Sequence, residues 1–268
     1  MLLTSVILIL QEMLEAALII SVLLAFSVIN HISVKWISTA LTLGIVSAIG
    51  YANQVERVSQ WFDYVGLEIV NASVQFTTAF CLVVFACLRF KKKIPTSTNS
   101  TERNRQILMT LIVSLAIARE GFEILLYASG FLGNPDLWSP VFVGSLIGAG
   151  IGVSAGALLY YSLVNLNPYA GQCVALILLA LFAGNMAAQG ALLLIQADFL
   201  PSGQPLWNSS FLIAEESIIG KLLYALIGYE ASPTAIQVGA YGFFFSLMLA
   251  LFALRWPQKT TLNHHSGQ

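Results

Sequence analysis

Charge is what this sequence has least of. Asp, Glu, Lys and Arg make up 9% of its 268 residues, against roughly 25% in an average soluble domain. That scarcity excludes an ordinary water-soluble surface. A net charge of -1 and the lack of a basic recognition motif exclude the electrostatic footprint of a nucleic-acid binder, so no nucleic-acid partner is expected. Cysteine is scarce as well. Cys81, Cys87 and Cys173 fall in apolar runs at no metal-ligand spacing, so they read as buried free thiols rather than a disulfide framework. No nucleotide-binding loop, Ser-His-Asp arrangement or flavin or haem signature is present, which leaves an enzyme the least supported class.

What the chain has in abundance is apolar sequence, at 57% of residues. Crossing a bilayer takes about 20 apolar residues, and seven such stretches can be read, at about 4–28, 36–55, 65–88, 106–131, 139–164, 171–197 and 235–255. With seven spans, Lys35, Arg89, Lys91, Lys92, Lys93, Arg103, Arg105, Arg255 and Lys259 share one face, nine of the twelve basic residues. Only Arg57 and Lys221 fall on the other. The positive-inside rule then puts the N-terminus outside and the C-terminus in the cytoplasm of a plasma (inner) membrane. The first span has no preceding Lys or Arg, is long for a signal sequence and carries Glu12 and Glu15, so it is expected to remain as a helix.

The expected organisation is a first three-helix unit over 1–90, a basic linker over 91–105 and a second three-helix unit over 106–197. An outer loop over 198–234 follows, with a short amphipathic helix at about 212–227, and 235–268 holds the seventh helix and a cytoplasmic tail. "QEMLEAALI" from Gln11 and "REGFEILLY" from Arg119 share Glu-x-x-Glu, their first glutamates standing 108 residues apart (120 minus 12). Each opens a group of three spans, and an odd number reverses orientation. That is the pattern of an inverted repeat, an architecture of transporters whose site lies at the repeat interface. In the fifth span Gly144, Gly148, Gly152 and Gly156 recur every four residues. Such a stripe lets a second helix approach closely, or serves as a hinge or pore-lining face.

Three charges interrupt the apolar run "LAIAREGFEILLY". At 100° per residue, Glu120 and Glu123 lie about 60° apart on one face, as do Glu12 and Glu15. Both pairs fall roughly eight residues from the outer end of their spans, a depth of about 12 Å, so four carboxylates are expected to meet. Each costs roughly 2.5 to 3.5 kcal/mol at membrane depth, about 10 kcal/mol for four. Arg119 offsets part of that charge, and the remainder favours a cation. Carboxylate oxygens suit hard ions, and no Met, Cys or His cluster accompanies them. A packed polar network is the bland alternative. Glu68 reads either as a ligand from the third span or as an interfacial residue, and Glu215 and Glu216, with Asp198 and Asp136, as a solvated face or a cation-gathering vestibule.

"REGFE" at 119–123 resembles the Arg-Glu-Gly-x-Glu motif of the oxidase-dependent iron permease family, which also holds bacterial iron permeases and lead-uptake proteins. "LWNSS", "GKLLYALIGYEASPTAIQVGAYG" and "AGNMAAQGALLLIQADFLP" are similar to the family's last loop and flanking spans, so the resemblance covers essentially the whole chain. It implies an all-helical membrane protein of seven spans that carries iron as transported substrate, with no permanently bound cofactor. By the same resemblance Glu120 and Glu123 are iron ligands, Arg119 is the motif's arginine, and Glu12 and Glu15 are their counterparts in the first span. There the chain departs from the motif: Gln11 replaces the arginine and Met13 the glycine. Near "LLLIQ" it also lacks the acidic and histidine residues expected in some relatives. Partners that follow are the lipid bilayer, an oxidase or periplasmic iron-delivery protein, and a second copy of the chain. Lead, manganese or cobalt as cargo, and a membrane scaffold or sensor, are the rival readings.

Overall fold

The computed structural model describes residues 1–89, 98–215 and 217–255. Residues 90–97, which hold Lys91, Lys92 and Lys93 of the basic linker, Glu216, and the tail with Lys259 lie outside the described residues. Most of the rest is helical: α1 (Leu2–Ile29), α2 (Trp36–Asn53), α3 (Val55–Ser59), α4 (Gly66–Arg89), α5 (Thr98–Ser129), α6 (Pro135–Asn165), α7 (Pro168–Gln196), α8 (Ile218–Ile227) and α9 (Ala235–Arg255). Local chemistry sets several of these ends. Asn134 and Asn167 cap α6 and α7, each followed by a proline at the first helical turn, where its missing N–H costs nothing. Helix α5 begins at Thr98, eight residues ahead of the apolar run expected from 106, because its first two turns are polar helix that hydropathy cannot reveal.

Among the described residues, five helices are long and apolar enough to cross a membrane: Leu2–Ile29, Gly66–Leu88, Asp136–Asn165, Pro168–Gln196 and Ala235–Leu254. Helix α6 leaves Leu146 and Leu158 exposed, and α9 exposes Phe243. A protein in water would hide such surface, whereas hydrocarbon solvates it and the helices satisfy their own backbone groups. The chain is an integral membrane protein. Its apolar core is built where α1, α4, α5 and α7 meet, around Leu18, Leu23, Phe26, Leu82, Phe85, Met109 and Phe182.

Helix α1 packs along α6, α2 along α5, and both α4 and α9 along α7. The α6 glycines permit the first of these contacts. A Cβ on Gly144 would stand 2.6 Å from the Leu2 carbonyl oxygen, and one on Gly148 would stand 2.5 Å from that of Val6. Gly152 faces Met13 and Gly156 faces Ala17. Small residues also line the second contact, where Gly121 faces Ala48 of α2. The bulk of Met13, which would close the space of a motif glycine, is therefore accommodated by Gly152 across the interface. Gly152→Ala is expected to destabilise the α1–α6 pair by roughly 1 to 3 kcal/mol, and Met13→Gly in the same protein to recover part of it. A double-mutant cycle in thermal unfolding checks this, since contacting residues couple and distant ones add.

The 198–234 segment folds back on itself. Leu206 N donates to the Pro233 carbonyl oxygen (2.9 Å) and Ser209 N to that of Ala231 (2.8 Å). The Glu215 carboxylate accepts from Ala231 N at 2.6 Å. Helix α8 begins at Ile218 rather than near 212, because the Ser217 hydroxyl accepts from Gly220 N and caps it there. It ends at Gly228, whose φ of 70° is the left-handed conformation that glycine adopts without penalty.

Candidate metal site

Helices α1 and α5 pack together, with α4 against α5 and α7 against α1 and α4. One carboxylate oxygen each from Glu12, Glu120 and Glu123 lies within 4.8 Å of the others. Two oxygens on opposite sides of one ion, bound at about 2.0 to 2.6 Å, stand about 4 to 5 Å apart, so the three can share a hard cation. Glu12 and Glu120 are buried, while the Glu123 side chain is 31% exposed. Oε2 of Glu12 is buried without a hydrogen-bond partner. A buried anionic oxygen left unpaired is expensive, and a cation or a proton there removes the penalty.

Glu15 is not in this group. Its Oε2 lies 3.4 Å from Arg119 Nη1 and accepts from Gln189 Nε2 at 3.4 Å. The expected meeting of four carboxylates is thus a cluster of three beside a fourth held by its own partners. The 60° between Glu12 and Glu15 on α1 is enough to leave one in the cluster and turn the other to Arg119 and to Gln189 of α7. Arg119 spans the group: Nη1 is 2.8 Å from Glu120 Oε1, and Nη2 is 3.0 Å from Glu123 Oε1. One guanidinium touches three glutamates, an arrangement its planar fork of donors makes possible.

Glu68 sits half-buried in the first turn of α4, outside the cluster, where Tyr51 is within electrostatic reach of both it and Glu123. Glu215 is exposed and tied to the 231–232 backbone. Gln11 does not join the carboxylates but lines a separate cavity beside α8. Cys81, Cys87 and Cys173 form no disulfide with one another.

Sequence reading missed the amides that complete the site. Gln75 of α4 and Gln189 of α7 are buried and bonded to each other at 2.6 Å. In that bond Gln75 Nε2 donates to Gln189 Oε1; turning the Gln75 amide over exchanges it for acceptance from Arg119 Nε and Nη1 at 3.2 Å. Asn185 joins them by accepting from Gln189 at 3.2 Å. The available signal was the rule that polar side chains within a span face the bundle interior. Outside the spans, burial pushes the Glu230 carboxyl above its ordinary range, opposed by a hydrogen bond from Gln237 and reinforced by the charge of Glu215.

Paired acids on α1 and α5, clamped by one arginine and faced by amides, make a candidate oxygen-only cation site. Comparison with known proteins places the chain in a family. The Ferrous iron permease EfeU of Escherichia coli O6:H1 is 24% identical over 266 residues, 94% of each chain. The Shigella sonnei protein of that name is 24% identical over 265 residues, covering 93% of this chain and 94% of its own. The Shigella flexneri one is 26% identical over 153 residues, covering 56% of this chain and 63% of its own. No solved structure matches the chain. The profile of the iron permease FTR1 family matches residues 2–256, Arg119 to Glu123 among them, and the chain belongs to that family.

Proposed function

We propose that the protein imports iron across the membrane and that Glu12, Glu120 and Glu123 hold the ion in transit. The observation that carries this reading is the convergence of three carboxylate oxygens from two helices around the unpartnered Oε2 of Glu12. Glu15 contributes charge from the next turn, and Glu68 stands apart, outside the cluster. Relatives are named ferrous iron permeases, and oxygen ligands suit that ion. Lead, manganese and cobalt use the same ligands and remain as alternative cargo.

Seven spans in an inverted repeat are part of the same reading. Exchanging α1, α2 and α4 with α5, α6 and α7 maps the α1–α6 contact onto α5–α2 and the α4–α5 contact onto α7–α1, which supports the repeat. The N-terminus is outside, so the 198–234 segment faces the side from which iron arrives. A delivery protein or oxidase supplies it there, and any redox change of iron belongs to that partner.

Arg119 acts as a tethered cation in this scheme. It limits the negative charge of the empty site and competes with iron for Glu120 and Glu123, helping the ion leave. Arg119→Gln combined with Glu15→Gln removes one charge of each sign. That protein is expected to show several-fold lower KM and slower maximal uptake, and unchanged kinetics would remove Arg119 from the release step. Radio-iron uptake into proteoliposomes, with manganese and lead as competitors, tests the function itself. Saturable uptake that excess manganese leaves intact supports an iron permease, whereas flux of the competitor alone assigns another cargo. A scaffold or sensor moves neither ion.

A further inference from the structure

Beside α8 lies a cavity of about 280 Å³ lined by Gln11, Glu215, Lys221, Tyr224, Tyr229 and Glu230. Six waters at about 30 Å³ each occupy about 180 Å³, so a cation fits here with its first hydration shell. Gln11 precedes Glu12 on α1, and the two side chains point about 100° apart. The wall of the cavity and a ligand of the metal site are therefore neighbouring faces of one helix. Gln11 also stands where the family motif carries an arginine, so the α1 side adds no positive charge, and Lys221 in the lining is outnumbered by Glu215 and Glu230.

Tyr224 is what lies between. It lines the cavity and is within electrostatic reach of Glu15, Arg119 and Glu12 on one side and of Glu230 on the other. Burial raises its hydroxyl well above the ordinary range, so the ring is a neutral barrier at physiological pH. Its backbone is held on α7: Asn185 Nδ2 donates to the Tyr224 carbonyl oxygen at 3.4 Å. Asn185 in turn accepts from Gln189, which donates to Glu15. Gly228 fixes the end of α8 against the same residue, since a Cβ there would stand 2.6 Å from Asn185 Oδ1.

We infer that the Tyr224 ring is the plug between this vestibule and the buried carboxylates, and that a hydrated divalent cation reaches Glu12 by passing it. The inference rests on the proposed transport of a cation, but its test does not require transport. Single cysteines, Gln11→Cys or Glu12→Cys, are placed in protein whose Cys87 and Cys173 are replaced by serine and whose buried Cys81 is kept as a folding reporter. Their reaction with a charged, water-soluble methanethiosulfonate is timed in nanodiscs, where both faces are accessible. Gln11→Cys is expected to react fast and Glu12→Cys slowly. Tyr224→Ala and Tyr224→Leu should each speed Glu12→Cys by roughly tenfold or more, the gain from freeing an open state populated at roughly 10% or below. Tyr224→Phe, which keeps the ring, should leave it slow, and Cys81 should stay inert throughout. Glu12→Cys labelling that is fast with Tyr224 intact, that ignores both truncations, or that rises equally with phenylalanine overturns the plug. Either result leaves the iron reading to be judged by uptake, so the two fail separately.

Discussion

Glu120→Gln with Glu123→Gln is expected to abolish saturable iron uptake, lowering it by more than about 100-fold. Loss of an outer-shell partner costs about 10- to 100-fold in metal affinity, and this pair removes two direct ligands. Glutamine keeps the shape of each side chain and one accepting oxygen but not the charge a hard cation needs. The fold should survive, because Arg119 keeps Glu15 and the Gln75 amide as partners. Thermal unfolding in detergent checks that survival, and proteoliposome uptake checks the function. Glu68→Gln serves as the control, since Glu68 lies outside the cluster, and it is expected to transport at nearly the wild-type rate. Uptake by a folded double variant at the wild-type level would move the site elsewhere.

Gly148→Leu is expected to separate α1 from α6, whereas Gly150→Leu, two residues away, leaves the protein intact. A Cβ at 148 meets the Val6 carbonyl oxygen at 2.5 Å and Leu10 N at 2.9 Å, backbone atoms that cannot rotate aside. At Gly150 there is nothing within 4 Å. Overpacking typically costs about 1 to 3 kcal/mol, and the larger end applies where the obstacle is backbone. The melting temperature should fall by roughly 5 °C or more at 148. At 150 it should hold or rise, since glycine is about 1 kcal/mol worse than alanine in a helix interior and leucine is a good helix former. The Glu12 carboxylate rides on α1, so iron uptake should fall with the 148 variant and not with the other. Equal effects at both positions would mean that the glycine spacing has nothing to do with this contact.

The site was partly legible because charge in a membrane helix has few uses. Glu12, Glu120 and Glu123 stand out against an apolar background, and their one-face spacing follows from helix geometry alone. Glu15 shows where that reasoning stops. Helical periodicity says which residues share a face of α1 but not which neighbour each meets, and a 60° difference separates a member of the cluster from a partner of Arg119 and Gln189. The amides were illegible for a related reason. Gln75 and Gln189 lie 114 residues apart in sequence, and neutral amides disturb hydropathy too little to be told from chance interruptions. Only packing α4 on α7 shows that they meet behind Arg119. The helices themselves followed from apolar runs, with errors at polar ends such as Thr98–Arg105 and the start of α8, where capping rather than hydropathy sets the boundary. The exchange of bulk between Met13 and Gly152 needed both helices in view, because the sequence shows a lost motif glycine in one and an extra glycine in the other.

Iron bound to the purified protein tests the central claim most directly. X-ray absorption at the iron edge, with metal content per chain, should show one ion per chain in a shell of oxygen ligands. Glu12→Gln combined with Glu120→Gln should lose it, while Glu68→Gln should keep it. A sulfur or imidazole ligand in the shell, or full binding by the folded Glu12→Gln/Glu120→Gln protein, would contradict a site made from these carboxylates.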